Sequence, residues 1–221
     1  MQRTLVSTAM MLLLLVLPMQ LQAQSGEEER LKQYVEENTL KLVEELENIQ
    51  SGYAEDKDAF YRKMDSALED FVAFRRIAAR IMGRYARQAS PEQRDEFVRQ
   101  FKRSLYDAYG GAMVETGDFT LTVRSAEINP RNDERATANL TVTTQGGDRY
   151  NVAYSMYRSE NSDWQVENII VEGVNIGLAF RDRFVHEMET RGDLAEVIKN
   201  WSTGVEDMQQ LENSVKGSDG S

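Results

Sequence analysis

The sequence has no cysteine, a single histidine (His186) and only three prolines in 221 residues. Without cysteine there is no disulfide, zinc–thiolate site, iron–sulfur cluster or thiol nucleophile, and no lipid attachment at an N-terminal cysteine. One histidine makes His-rich metal sites and most Ser–His arrangements very hard to build. Basic residues are also in the minority, 26 against 37 acidic, for a net charge of −11. That balance argues against a duplex-DNA binder, which needs cations to replace phosphate counterions. No H-E-x-x-H, P-loop, calcium-loop or G-x-S-x-G pattern occurs. Apolar residues make up 41% of the chain, enough for one domain of ordinary size to bury a real core.

The longest apolar run lies at the start. Residues 1–23 read as a secretory signal: Arg3 supplies the positive start, Leu5 to Leu17 is nearly apolar, Pro18 breaks the run, and Leu21-Gln22-Ala23 offers a small residue for cleavage. The run is short of the ~20 residues that span a bilayer. The expected product is an exported domain over residues 24–202 with a flexible tail over 203–221, stabilised by packing alone.

From Glu27 the apolar period is helical. Leu31, Val35, Leu42, Leu46 and Ile49 mark one stripe. Phe60, Met64, Ala67, Leu68 and Phe71 mark a second, which runs on or bends into Phe74, Ile77, Ala78, Ile81, Met82 and Tyr85. Ser90-Pro91-Glu92-Gln93 is a capping box with proline in the first turn, followed by Phe97, Phe101, Leu105, Tyr109 and Met113. Gly83 falls within the Phe74–Tyr85 stretch and Gly110-Gly111 ends the next. Close packing and a helix terminus are the simplest readings of these glycines, and a hinge in the helical layer the sharper one.

At Gly117 the period becomes two. Phe119, Leu121 and Val123, then Ala136 to Val142, then Tyr150 to Met156, then Trp164 to Ile170 alternate with Thr, Asn and Ser, separated by turn-rich connections. The helical period returns with Phe180, Phe184, Val185 and Met188, and again after Asp193 with Leu194, Val197, Ile198 and Trp201. The pattern predicts an α+β domain: N-terminal helices, a four-stranded antiparallel sheet with one face covered by helices, and C-terminal helices.

Chemistry-bearing groups are sparse. His186 lies off the apolar stripe of its helix, facing solvent, and the paired glutamates of residues 27–45 form a solvated face. Residues 75–103 carry nine cations against Glu92, Asp95 and Glu96. Within them Arg76, Arg80, Arg84 and Arg87 form a helical stripe, either a solvated face or a surface for anionic headgroups or an acidic partner.

Gly83, Tyr85, Ala89-Ser90-Pro91, Gln93-Arg94, Phe97, Phe101 and Tyr109, with Trp164 followed by Glu172-Gly173-Val174-Asn175, resemble the recurrent pattern of the MlaC family, the toluene-tolerance auxiliary proteins. The resemblance spans nearly all of residues 27–201. It implies an NTF2-like cone with a lipid cavity. It also implies a periplasmic phospholipid carrier, monomeric, without catalytic residues, cofactor or metal and with no nucleic-acid partner. Its cargo would be a diacyl phospholipid. Its partners would be an inner-membrane ABC transporter with an MCE-domain subunit and an outer-membrane lipoprotein complex, in a process that maintains outer-membrane lipid asymmetry. The candidate lining residues are Phe74, Ile77, Ile81, Leu105, Tyr109, Phe119, Leu121, Leu140, Val152, Tyr154, Ile170, Val174 and Phe184. Arg76, Arg80, Arg84 and Arg87 are the candidate partner or headgroup contacts. The competing readings are an exported non-lipid adaptor with a packed core and an enzyme on the same cone.

Overall fold

The computed structural model describes residues 17–50, 56–116, 119–159 and 163–201. Helix α1 spans Leu17–Gln50, with Pro18 in its first turn. Proline lacks only an N–H that has no intrahelical partner there, so Pro18 suits the start of this helix, while the apolar run before it lies outside the described residues. Most of the expected signal, and the tail after Trp201, lie outside the described residues. No helix among the described residues is long and apolar enough to cross a membrane.

Helix α2, Lys57–Leu68, is capped by Asp56, whose carboxylate accepts from the Ala59 N–H at 2.8 Å. The stripe it begins does not run straight on. The chain turns through residues 69–73 before α3, Phe74–Met82, and a 3-10 turn over Gly83–Arg87. Helix α4 spans Pro91–Thr116, and its capping box closes as expected: the Gln93 N–H donates to Ser90 Oγ at 3.2 Å and the Ser90 N–H to Gln93 Oε1 at 2.9 Å. Gly110-Gly111 therefore lie inside this helix and do not end it.

The sheet follows as β1 Phe119–Ile128, β2 Arg135–Thr144, β3 Arg149–Arg158 and β4 Trp164–Val171, with a short fifth strand, β5 Val174–Asn175, beyond the four expected. The strands lie side by side in chain order, each antiparallel to the next. Helices α5, Ile176–Arg191, and α6, Leu194–Lys199, follow, capped by Asn175 and Asp193.

Two cores form. In one, Leu31 and Val35 of α1 cover the sheet face that carries Ala126, Ala138, Leu140, Met156 and Val166. In the other, α2 to α6 pack on one another around an aromatic nest. Ring centroids there are 5.1 Å apart for Phe97–Phe184 and Phe101–Phe180, and 5.2 Å for Phe97–Trp201, in edge-to-face geometry. The two cores are joined where the α2–α3 connection runs beside β4. The Val166 N–H donates to Phe71 O at 2.8 Å and the Ala73 N–H to Val166 O at 3.0 Å.

Gly83 corrects the sequence reading. It caps α3 with φ +53 and ψ −122, and a Cβ built on it meets nothing within 4 Å. Neither close packing nor a weak mid-helix point explains it; the backbone conformation does. Gly83→Ala is expected to lower stability by about 1–3 kcal/mol, the strain of that backbone region for an L side chain, as measured by chemical denaturation.

Candidate functional site

The cores leave a cavity of about 310 Å³ at their seam. Helix α2 lines it with Phe60, Met64 and Leu68, every fourth residue of one face. Helices α3 and α4 add Phe74, Ile77, Phe101 and Leu105. Tyr154, Val166 and Ile169 form the sheet side, and Leu42 of α1 closes over them. Among the described residues, none that lines it is charged. Left dry and unfilled, 310 Å³ would cost on the order of 7 kcal/mol, comparable to the stability of a whole domain. Water gains few hydrogen bonds on such walls. The cavity is thus built for an apolar occupant.

The Tyr106 hydroxyl donates to Asp65 Oδ1 at 2.8 Å, and burial followed by that carboxylate raises its pKa. Burial pushes the Tyr154 hydroxyl up to about 12, with the buried Thr39 beside it working the other way. Asn168 stands where the sheet meets α5, its Oδ1 accepting from the Gly177 N–H at 3.0 Å. Among the described residues no group of three or more His, Cys, Asp or Glu is placed to hold a metal ion.

Of the sequence candidates, Phe74, Ile77, Leu105 and Tyr154 come together on the cavity wall. Ile81 and Phe184 sit inside the helical core and Leu140 inside the sheet core. Phe119 packs against the helical core, and Leu121 and Val152 against the sheet core. Val152 and Ile170 also border a separate groove with Arg124 and Arg149. Val174 pairs with Val171 in the sheet. The Tyr109 side chain lies outside the described residues. Sequence reasoning left Phe60 and Met64 out of the pool although their stripe was visible. It also passed over Asn168, the one amide in an apolar run.

The arginine stripe divides. Glu167 lies at a bulge in β4, where pairing skips from Ser155–Asn168 to Met156–Val166. The bulge turns Glu167 toward three arginines. Its carboxylate, 6% exposed, accepts from Arg76 Nε at 2.5 Å and Arg135 Nη1 at 2.6 Å and pairs with Arg80 Nη2 at 3.0 Å. Arg76 also lies 4.2 Å over the Tyr157 ring. Burial acts to raise the Glu167 pKa, but the hydrogen bonds from Arg76 and Arg135 and the Arg80 and Arg135 charges outweigh it and hold it below 4.5. Arg84 donates to the neighbouring Tyr85 hydroxyl at 2.8 Å. Arg87 is exposed and makes no ion pair among the described residues.

A family model described as MlaC protein matches residues 36–203. The toluene tolerance protein Ttg2D of Pseudomonas putida is 34% identical over 178 residues, 80% of this chain and 81% of that protein. The solved structure of a phospholipid-binding protein from Ralstonia solanacearum, in complex with a phospholipid, shares the fold. Its TM-score is 0.67 at 19% identity, over 77% of this chain and 96% of that one.

The glutamate hub generates a test. Its ionised contacts contribute fully above pH 4.5 and are lost as pH falls through the lowered folded value. Glu167→Gln is expected to cost about 1–3 kcal/mol at neutral pH, less than a fully buried pair because the arginines are partly exposed. Denaturation across pH 3–7, a span of roughly four units around the ordinary carboxylate value, should show the gap to the parent protein closing on the acid side.

Proposed function

The chain belongs to the MlaC family, and on that premise we propose that it carries phospholipid through the periplasm, shielding the acyl chains from water between two membranes. The observation that carries this reading is the uncharged cavity at the seam of two separately packed cores. Two acyl chains of about sixteen carbons represent roughly 25 kcal/mol of exposure cost at ~0.8 kcal/mol per methylene. A water-borne shuttle has to cover them, and this seam is where the fold offers cover. Because each core has its own contacts, the seam widens around a larger cargo without either core being dismantled. The adaptor reading, which needs a filled interior, has no such support.

The donor and acceptor in this reading are an inner-membrane ABC transporter with an MCE-domain subunit and an outer-membrane lipoprotein complex, working to maintain lipid asymmetry. Of the cationic stripe, Arg84 and Arg87 are the members free of the Glu167 hub and suited to such docking. Carriage of this kind needs no catalytic group on the chain itself.

Native mass spectrometry of freshly purified protein, followed by solvent extraction, is expected to show bound diacyl phospholipid. A lipid-free protein that also takes none from liposomes would sink the carrier reading. Leu105→Trp fills the cavity from one wall and is expected to cut lipid retention severalfold while costing only about 1–3 kcal/mol of stability. Arg84→Gln with Arg87→Gln should slow transfer at low salt and leave bound lipid in place; transfer unchanged at every ionic strength would leave those arginines a solvated face.

A further inference from the structure

Among the described residues, Asn168 offers the lipid cavity a hydrogen-bond donor group that the protein does not use. Asn168 lines the cavity, and its Oδ1 accepts from the Gly177 N–H at 3.0 Å. That bond decides the orientation of the amide, because a backbone N–H can face only an acceptor. The two Nδ2 hydrogens are therefore directed elsewhere, and they have no partner among the described residues. The Tyr106 hydroxyl donates to Asp65, and Tyr154 lies beside the buried Thr39, whose Oγ1 has no hydrogen-bond partner among the described residues. The placement is built into the backbone. A Cβ on Gly177 would stand 2.4 Å from Asn168 Oδ1 and 3.3 Å from its Cγ, so only glycine at that position lets the amide approach α5 so closely. The bulge at Glu167 shifts the register so that Asn168 stands opposite Ser155 and Ile169 opposite Tyr154, and both residues line the cavity.

We propose that the Asn168 amide is a subsite for the ester carbonyl of a glycerophospholipid. The proposal rests on the carrier reading above and goes beyond it by naming the bond that registers the lipid. The ligand group must be an acceptor, since the amide hydrogens are donors. It must also be neutral, since no cation lines the cavity and a phosphodiester drawn inside would leave its charge unpaired at heavy cost. In a diacyl lipid the uncharged acceptor adjoining the tails is the ester carbonyl. Asn168, half-buried where the sheet meets the start of α5, holds the boundary between tail and headgroup. Tails slide in an apolar cavity without preferred register; one directional bond at this boundary sets how deep they go and leaves the headgroup outside.

The test compares dipalmitoyl phosphatidylcholine with its dihexadecyl ether, which shares headgroup and chain length but lacks the carbonyls. Affinities are read by competition on one protein preparation. The parent protein is expected to favour the ester by about two- to tenfold, the range of one neutral hydrogen bond. Asn168→Asp keeps the acceptor for Gly177 and removes the donor; Gly177→Ala keeps the amide but displaces it. Both are expected to bring the ester-to-ether ratio to about one. Because the readout is a ratio, a general loss of fold does not imitate it. Equal affinity of the parent protein for the two lipids, or an ester preference that survives both variants, overturns the subsite and leaves the carrier reading standing. A parent protein that binds neither lipid overturns the carrier reading itself and this inference with it.

Discussion

Two backbone hydrogen bonds decide where the cavity lies. Val166 donates to Phe71 and accepts from Ala73, which lays the α2–α3 connection along β4 like a short parallel strand. On one side of that seam Phe71 joins the core under the sheet; on the other Phe74 joins the helical core. These two bonds hold the cores side by side along one edge of the cavity. The space between them is bounded by the inward faces of α2, α3, α4 and β4, which carry only uncharged side chains. The lining follows from this joint. Residues on either side present their apolar faces to a volume that neither core fills.

The same strand manages charge. A bulge in β4 puts Glu167 out of register and into a ring of Arg76, Arg80 and Arg135, while its neighbours Val166 and Asn168 face the cavity. Helix α3 is thereby fastened to the sheet by ion pairs on its outer side, while Phe74 and Ile77 on its inner side belong to the helical core and line the cavity. The strand separates a buried carboxylate from an apolar cavity by a single peptide unit.

Much of the fold was legible. The capping box at Ser90, the two-residue period from Phe119 and the helix start after Asp193 all act over a few residues, so local sequence carries them. The buried alternation of Ala136, Ala138 and Leu140 matches its pattern. The candidate site was only partly legible. Phe74, Ile77, Leu105 and Tyr154 reached the cavity, whereas Ile81, Leu140 and Phe184, equally apolar and equally inward, went into packed core. Periodicity tells which face of an element turns inward, but it does not tell whether the space opposite is filled.

The sequence by itself determined the elements, their amphipathic faces, the α+β order and, through spaced residues such as Ser90-Pro91 and Glu172-Gly173, the family. The tertiary structure decided the rest. Glu167 meets Arg76 across 91 positions of chain and Asn168 meets Gly177 only because a bulge and a helix start converge. Gly83 owes its place to a positive φ that no residue spacing encodes. Local preferences act through a few neighbouring dihedrals and travel with the sequence. A cavity, an ion-pair hub and an unspent amide depend on where distant segments stop against one another, and that is settled only when the whole chain has packed.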